Sequence, residues 1–277
     1  MEMKRLTDCT LREMVVAWNR GFNGYAVDLA MDETVFVNRL VTEGLSPHHS
    51  IVAFVEGEPV GIIMNGFRKR GGKTIAWNGG TAIAPEYRGS GIIHSLMQET
   101  MTIYEQEKVQ VATLEAIKSN EKAIKLYEKY GYAVVDELVF LVGKRQDVEP
   151  MEYESCRPEQ LLFLPNYQER AVWQCQPDSL KYGEAYIFKE SERVIGYSLF
   201  RKVWDEEGKL IRINVYQLKL TDGGEPHNLF RMLAAFSKGN IPIMMVNFVR
   251  EQLETRYLLE HGFTVTTEQV WMEKSMT

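Results

Sequence analysis

The stretch APEYRGSGIIHS, Ala84 to Ser95, decides how the first half of this chain reads. Pro85 cannot donate to a ladder, so it ends a strand. Gly89 and Gly91 admit positive φ and let a ligand come close to the backbone. Ile93, Leu96, Met97, Met101 and Tyr104 then recur at helical spacing, so a helix follows. A strand, a glycine turn and a helix N-terminus with unpaired N–H groups make an anion site. Arg88 adds a fixed positive charge. The same pattern alone also serves as an ordinary strand-to-helix turn.

Upstream, LREMVVAWNRGF and DETVFVNRLVTEG read as two helices joined by a loop with Gly24. SIVAFVEGEPVGIIMNGFRKRGG reads as two strands turning at Glu56–Glu58. KTIAWNGGTAIA is a third strand, irregular at Gly79 and Gly80. Downstream of the loop come the strand VATLEAI, a helix from Glu121 to Tyr130 and the strand ELVFLVGK. Helices, antiparallel strands, then strand–helix–strand–helix–strand describe a mixed α/β domain over residues 1–145.

KRQDVEPMEYESCRP (Lys144 to Pro158) is polar and aperiodic, so a linker is expected over 146–158. The order of elements then repeats over residues 159–277. At a shift of 131, Gly131-Tyr132 meets Gly262-Phe263 and Leu114 meets Met245; the upstream strand pair matches at 135, Gly61 on Gly196. We read an internal duplication, two copies of one fold. Two unrelated α/β domains with similar punctuation are the alternative.

A second motif follows the loop. SNEKAIKLYEKYGY (Ser119 to Tyr132) is a compact helix, capped by Ser119 or Asn120 and closed by Gly131. Together, R-G-S-G-I-I (Arg88 to Ile93) and this segment resemble the pyrophosphate loop and the N-x-x-A-x-x-x-Y-x-x-x-G-F/Y helix of the GNAT superfamily of acyl-CoA-dependent acyltransferases. The resemblance covers residues 1–145. It implies tandem GNAT-like domains, each a mostly antiparallel sheet flanked by helices. Ile93 departs from the pattern, which has a small residue there.

The resemblance also implies acetyl transfer from acetyl-CoA to an amine of a small molecule or peptide. The backbone near Ala82 and Ile83 would meet the pantetheine and the thioester oxygen. Arg88, Gly89, Ser90, Gly91, Ile92 and Ile93 would bind the pyrophosphate, and Asn120 and Ala123 would border the pantetheine arm. Tyr127 would protonate the leaving sulfur, or else only pack as a buried aromatic. Glu115 is the candidate general base; a paired strand carboxylate and a water relay remain alternatives. Asp28 and Asp32 could attract a cation or simply be surface charge. His94 could donate to phosphate or cap its turn. His48 and His49 read as loop, and Trp77 and Asn78 as pocket lining or packing.

In the second half, a shift of 131 lays Arg88–Ile93 on KLTDGG (Lys219 to Gly224), Asn120 on Glu251 and Tyr127 on Leu258. Asp222 and Glu225 would repel a pyrophosphate. This copy is expected to be degenerate, walling the acceptor site or forming a homodimer interface.

Composition bounds the rest. A net charge of −6 argues against a nucleic-acid partner and suits a cationic acceptor. No apolar run is long enough to span a membrane. Three cysteines (Cys9, Cys156, Cys175) lack metal spacing, so no metal is expected and a cytoplasmic location is. A non-catalytic acyl-CoA-binding sensor, motivated by Ile93, is the alternative function, and an alcohol or thiol acceptor is a third.

Overall fold

The computed structural model of the 277-residue chain describes residues 1–25 and 27–276. The chain divides into two compact units. The first comprises Met1–Glu115, Lys122–Ala133 and the C-terminal tail from Met272; the second comprises Ala116–Glu121 and Val134–Trp271. Among the described residues, no helix is long and apolar enough to cross a membrane.

The first unit runs β1 (Glu2–Arg5), α1 (Leu11–Gly21), α2 (Glu33–Glu43), β2 (Ile51–Val55), β3 (Glu58–Arg70), β4 (Lys73–Ile83), α3 (Ile92–Gln106), β5 (Val111–Ile117) and α4 (Glu121–Lys129). Strands β1 to β4 pair antiparallel in sequence order, and β5 joins β4 in parallel. Helix α1 begins at a reciprocal Thr10–Glu13 capping box, which satisfies two otherwise orphaned donors. Its inner face buries Ala17 and Trp18. Burying side chains such as Trp18, Trp77, Phe54 and Tyr104 contributes about 2–3 kcal/mol each.

Glycines let helix and sheet touch. A Cβ on Gly21 of α1 would lie 2.6 Å from the Ala82 Cβ, and one on Gly80 would lie 2.6 Å from the Trp18 ring. Gly80 and Ala82 therefore face α1. Ile83 faces the other side, where it and Leu96 of α3 crowd Gly61. Strand alternation puts Thr81 on that second face as well.

The second unit contains β6 (Ala133–Lys144), β7 (Tyr153–Cys156), β8 (Glu184–Glu190), β9 (Arg193–Trp204), β10 (Leu210–Leu220), α5 (Asn228–Ala234), β11 (Pro242–Val249), α6 (Leu253–Glu260) and β12 (Thr264–Ser275), whose last residues belong to the first unit. Its strand order is β12-β6-β11-β10-β9-β8-β7, with β10 and β11 parallel. Strand β7 lies inside the stretch read from sequence as a linker: Tyr153–Cys156 pairs with Ala185–Phe188, because its backbone finds a free edge on β8.

The duplication is visible in register. β4 carries a one-residue bulge between its pairings Met64↔Gly80 and Asn65↔Asn78, and β10 carries one between Leu199↔Gln217 and Phe200↔Val215. The last parallel pairs are Asn78↔Leu114 in one unit and Val215↔Met245 in the other. These equivalences put Ala82 on Lys219 and Ile83 on Leu220. The uniform shift of 131 had laid Lys219 on Arg88. The copies differ in loop length before β11, which a single offset cannot absorb.

Candidate active site

Between Ile83 and α3 the chain makes a short 3-10 turn, Pro85–Tyr87, and then the glycine loop. Gly89 has φ +84° and Gly91 φ +90°, so both occupy backbone conformations that L side chains avoid. A Cβ on either would meet nothing within 4 Å, so the loop is open. Gly91 is the N-cap of α3, and no side chain caps this end. Among the described residues, no backbone acceptor takes the N–H of Gly89, Gly91, Ile92 or Ile93. Four donors thus lie at or just before the positive end of a 15-residue helix dipole.

The sequence reading gives Arg88 a fixed positive charge for the pyrophosphate. In the structure its guanidinium donates to three carbonyls: Nε to Ile83 O at 3.1 Å, and Nη2 to Gly21 O at 3.2 Å and Asn23 O at 3.0 Å. Arg88 pins the loop to the end of α1. Arg20 braces the same turn through Glu86 at 2.7 Å. The Ser90 hydroxyl turns back onto Tyr87 O at 2.6 Å. Ile92 is buried and Ile93 half-buried, so the isoleucine side chain packs while its N–H stays available.

Beside the loop, β4 and β5 part. Their pairing ends at Asn78↔Leu114, although β4 continues to Ile83 and β5 to Ile117. The bond from Ala84 N to Val60 O, 2.8 Å, sets the ladder's alternation with β3. It turns the N–H groups of Thr81 and Ile83 away from β3 and into this fork. The fork therefore offers backbone donors a few residues before the glycine loop.

Glu115 is the first residue of β5 past the last pair. Its Oε2 accepts from Trp77 Nε1 at 2.9 Å, while Oε1 is buried with no partner among the described residues. Burial pushes its pKa up to about 7; the Trp77 bond pulls it down and the Glu43 carboxylate pushes it up. Tyr127, on α4, is buried, and desolvation raises its hydroxyl to about 12, against a lowering bond with Thr81 and a raising effect of Tyr25. Its ring packs edge-on against Tyr132 at 6.0 Å.

The other expected residues have structural partners. Ala123 is half-buried on α4. Asn120 falls in the 116–121 stretch of the second unit, its N–H on Ile117 O at 2.9 Å. Asp32 caps α2 through Val35 N at 2.7 Å, and Asp28 accepts from Ala30 N at 3.0 Å. His94 is tied to Tyr130, whose hydroxyl donates to His94 O at 3.0 Å. His49 sits between Ser46 (2.8 Å) and Glu107 (3.1 Å). Asn78 bonds Thr81 and Gly80 N, shaping the bulge. Sequence reasoning missed the Arg20–Glu86 brace and the Thr81 N–H turned into the fork; the irregular Gly79-Gly80 pair was the one signal pointing to the latter.

The equivalent fork in the second unit is closed. Leu220 N, the counterpart of Ile83 N, donates to Glu254 Oε1 at 3.1 Å. Lys219, at the Ala82 position, is buried; its pKa is lowered by desolvation and raised by Glu254, and its ammonium bonds Gln252. Gln217 Nε2 donates to Cys175 O at 2.7 Å.

The first unit thus carries an open glycine loop on a helix N-terminus, a strand fork beside it and a buried carboxylate at that fork. Residues 12–132 match the Acetyltransferase (GNAT) family model, so this stretch is a GNAT domain. It is an acyltransferase. No curated protein sequence matches it. The fold is shared with a GCN5-related N-acetyltransferase from Anabaena variabilis (15% identity, 98% of this chain and 72% of that one, TM-score 0.64). It is shared with a GCN5-related N-acetyltransferase from Sphaerobacter thermophilus (14% identity, 99% and 95%, TM-score 0.59). It is also shared with a tandem GNAT protein from the clavulanic acid biosynthesis pathway (11% identity, 99% and 98%, TM-score 0.65). The tandem GNAT-like architecture follows from that likeness and from the repeated register.

Proposed function

We propose that the first half, residues 1–145, transfers an acetyl group from acetyl-CoA to a primary amine of a small molecule or peptide by direct attack. The second half, residues 159–277, is a degenerate copy without its own CoA site. The N–H groups of Gly89, Gly91, Ile92 and Ile93 would hold the pyrophosphate, with Arg88 fixing the loop and Ser90 within it. The strand edge at Ala82 and Ile83 would take the pantetheine and offer the Ile83 N–H to the carbonyl oxygen, where negative charge develops. Asn120 and Ala123 would border the arm.

One observation carries the reading: the buried Oε1 of Glu115 at the mouth of the fork, without a partner among the described residues, on a carboxylate with pKa about 7. Such a group is half ionised at neutral pH and accepts the proton lost by the attacking amine. The amine nitrogen forms the new C–N bond, the C–S bond breaks, and the CoA sulfur leaves as thiolate. Tyr127 would donate to that sulfur. Its hydroxyl, near 12, stays protonated at every working pH. Full transfer to a thiolate with pKa near 8.5 is uphill by about 5 kcal/mol, so the hydroxyl acts first as a hydrogen-bond donor.

Release of CoA should be measured from pH 5.5 to 9 with a panel of amines (benzylamine, tyramine, spermidine, lysine), an alcohol and a thiol. The wild-type kcat/KM should rise through pH 7. Glu115→Gln should lower it about 100-fold at pH 8 and abolish that limb. A Glu115→Gln variant with unchanged rate and profile would remove Glu115 from the mechanism. Tight acetyl-CoA binding with no turnover on any acceptor would favour the sensor reading.

A further inference from the structure

The first unit is not a continuous run of chain: it includes the tail from Met272, the last residues of the sequence. Met272 is fully buried, and Met276 N donates to Gln110 O, just before β5, at 2.9 Å. Between them, Lys274 reaches the end of α4. Its ammonium donates to Tyr130 O at 2.7 Å and lies 3.7 Å from the Met101 sulfur of α3. The last turn of α4 has orphan carbonyls and the negative end of the helix dipole. A lysine from 144 residues away satisfies one of them.

That helix end is where the proposed acid is set. Tyr127 O accepts from Tyr130 N at 2.9 Å and from Tyr132 N at 3.2 Å, and Gly131 takes φ +86° to turn the chain out of the helix. A Cβ on Gly131 would sit 3.5 Å from the Lys274 ammonium nitrogen. Tyr130 also passes the tie onward: its hydroxyl donates to His94 O, in the first turn of α3 and next to the open glycine loop. Tail, acid helix and phosphate helix thus share one line of polar contacts: Lys274, Tyr130, His94.

We propose that Lys274 is a positioning residue for the reaction. By capping α4 it fixes the Tyr127 hydroxyl against the leaving sulfur, so residues at the far end of the sequence complete the active site of the first unit. The inference rests on the role proposed above for Tyr127. Lysine suits the task because a single charged donor reaches one carbonyl on a long apolar stem, which here packs beside Met101 and Gly131. Arginine keeps the charge and the reach, whereas methionine keeps only the stem.

The test uses the full-length chain carrying Lys274→Met, Lys274→Arg, Tyr127→Phe, or Lys274→Met with Tyr127→Phe. Turnover is read with the fastest amine of the panel, or as acetyl-CoA hydrolysis if none is used. Lys274→Met should lower kcat five- to tenfold with the KM for acetyl-CoA changed less than twofold, and Lys274→Arg should restore kcat to within twofold. In the Tyr127→Phe background the Lys274→Met change should cost less than a further 1.5-fold. Hydrogen–deuterium exchange across residues 121–132 should speed up in Lys274→Met. The same fold-loss in both backgrounds, or unchanged exchange in α4, would overturn the inference. Tyr127→Phe with wild-type kcat would instead sink the acid role of Tyr127, and that single variant tells the two failures apart.

Discussion

In the first glycine loop the N–H groups of Gly89, Gly91, Ile92 and Ile93 have no backbone acceptor among the described residues, and a 15-residue helix follows. In the second, the loop serves itself. Gly224 N donates to Thr221 O at 2.9 Å, Glu225 N to Asn228 Oδ1 at 2.7 Å, and Leu229 N to Pro226 O at 3.1 Å. Pro226 has no donor to give, and α5 is only seven residues long. The Arg193 guanidinium fills the space over Gly223, where a Cβ would lie 2.4 Å from its central carbon. The two forks differ in the same way: the Ile83 N–H is turned into the fork past the last β4–β5 pair, whereas Leu220 N is bound to Glu254. Two copies of one backbone thus differ in whether their own side chains consume the donors. A ligand site is the copy that leaves them over, at a cost in stability that a ligand then offsets.

Glu115 shows that cost most clearly. Its equivalent in the second unit is Val246, from the shift that lays Leu114 on Met245. A carboxyl whose pKa is raised from 4.5 to about 7 binds its proton more tightly when folded. Between those values the folded chain keeps the proton that the unfolded chain has released, so stability falls as pH rises through that window. That difference corresponds to about 3 kcal/mol. Glu115→Gln, which brings the first fork toward the second, should therefore be more stable than wild type at pH 8 by up to that amount, with no difference at pH 4. Urea unfolding at the two pH values measures this; equal stabilities at pH 8 would mean that the carboxylate is solvated.

A smaller effect is expected at Ile93. Its contribution to the loop is a backbone N–H, which does not depend on the side chain. Ile93→Gly should leave acetyl-CoA affinity equal or slightly tighter by titration calorimetry. A loss of tenfold or more would mean that the isoleucine side chain supports the loop.

Much of this was legible in the sequence, because the signals were local. Proline, two glycines and a helical apolar period locate the strand end, the turn and α3. Gly131 and Gly262, with φ +86° and +98°, mark the same helix ends in both copies. What was not legible depends on distant chain. β7 looks like a polar linker until β8 offers it an edge. Arg88 looks like a ligand-facing charge until the carbonyls of Gly21 and Asn23 come within reach. The equivalence of Lys219 with Ala82 needed the bulges, since the copies carry unequal connections. Lys274 has no sequence signal; only the course of the tail brings it to Tyr130.

The contrast between the two loops is tested most directly by counting acetyl-CoA on the whole chain by titration calorimetry. One molecule should bind per chain. Gly91→Asp, which places a carboxylate among the open donors, should weaken binding at least 30-fold, about 2 kcal/mol. Two molecules per chain, or undiminished binding by Gly91→Asp, would contradict the assignment of the CoA site to the first loop alone.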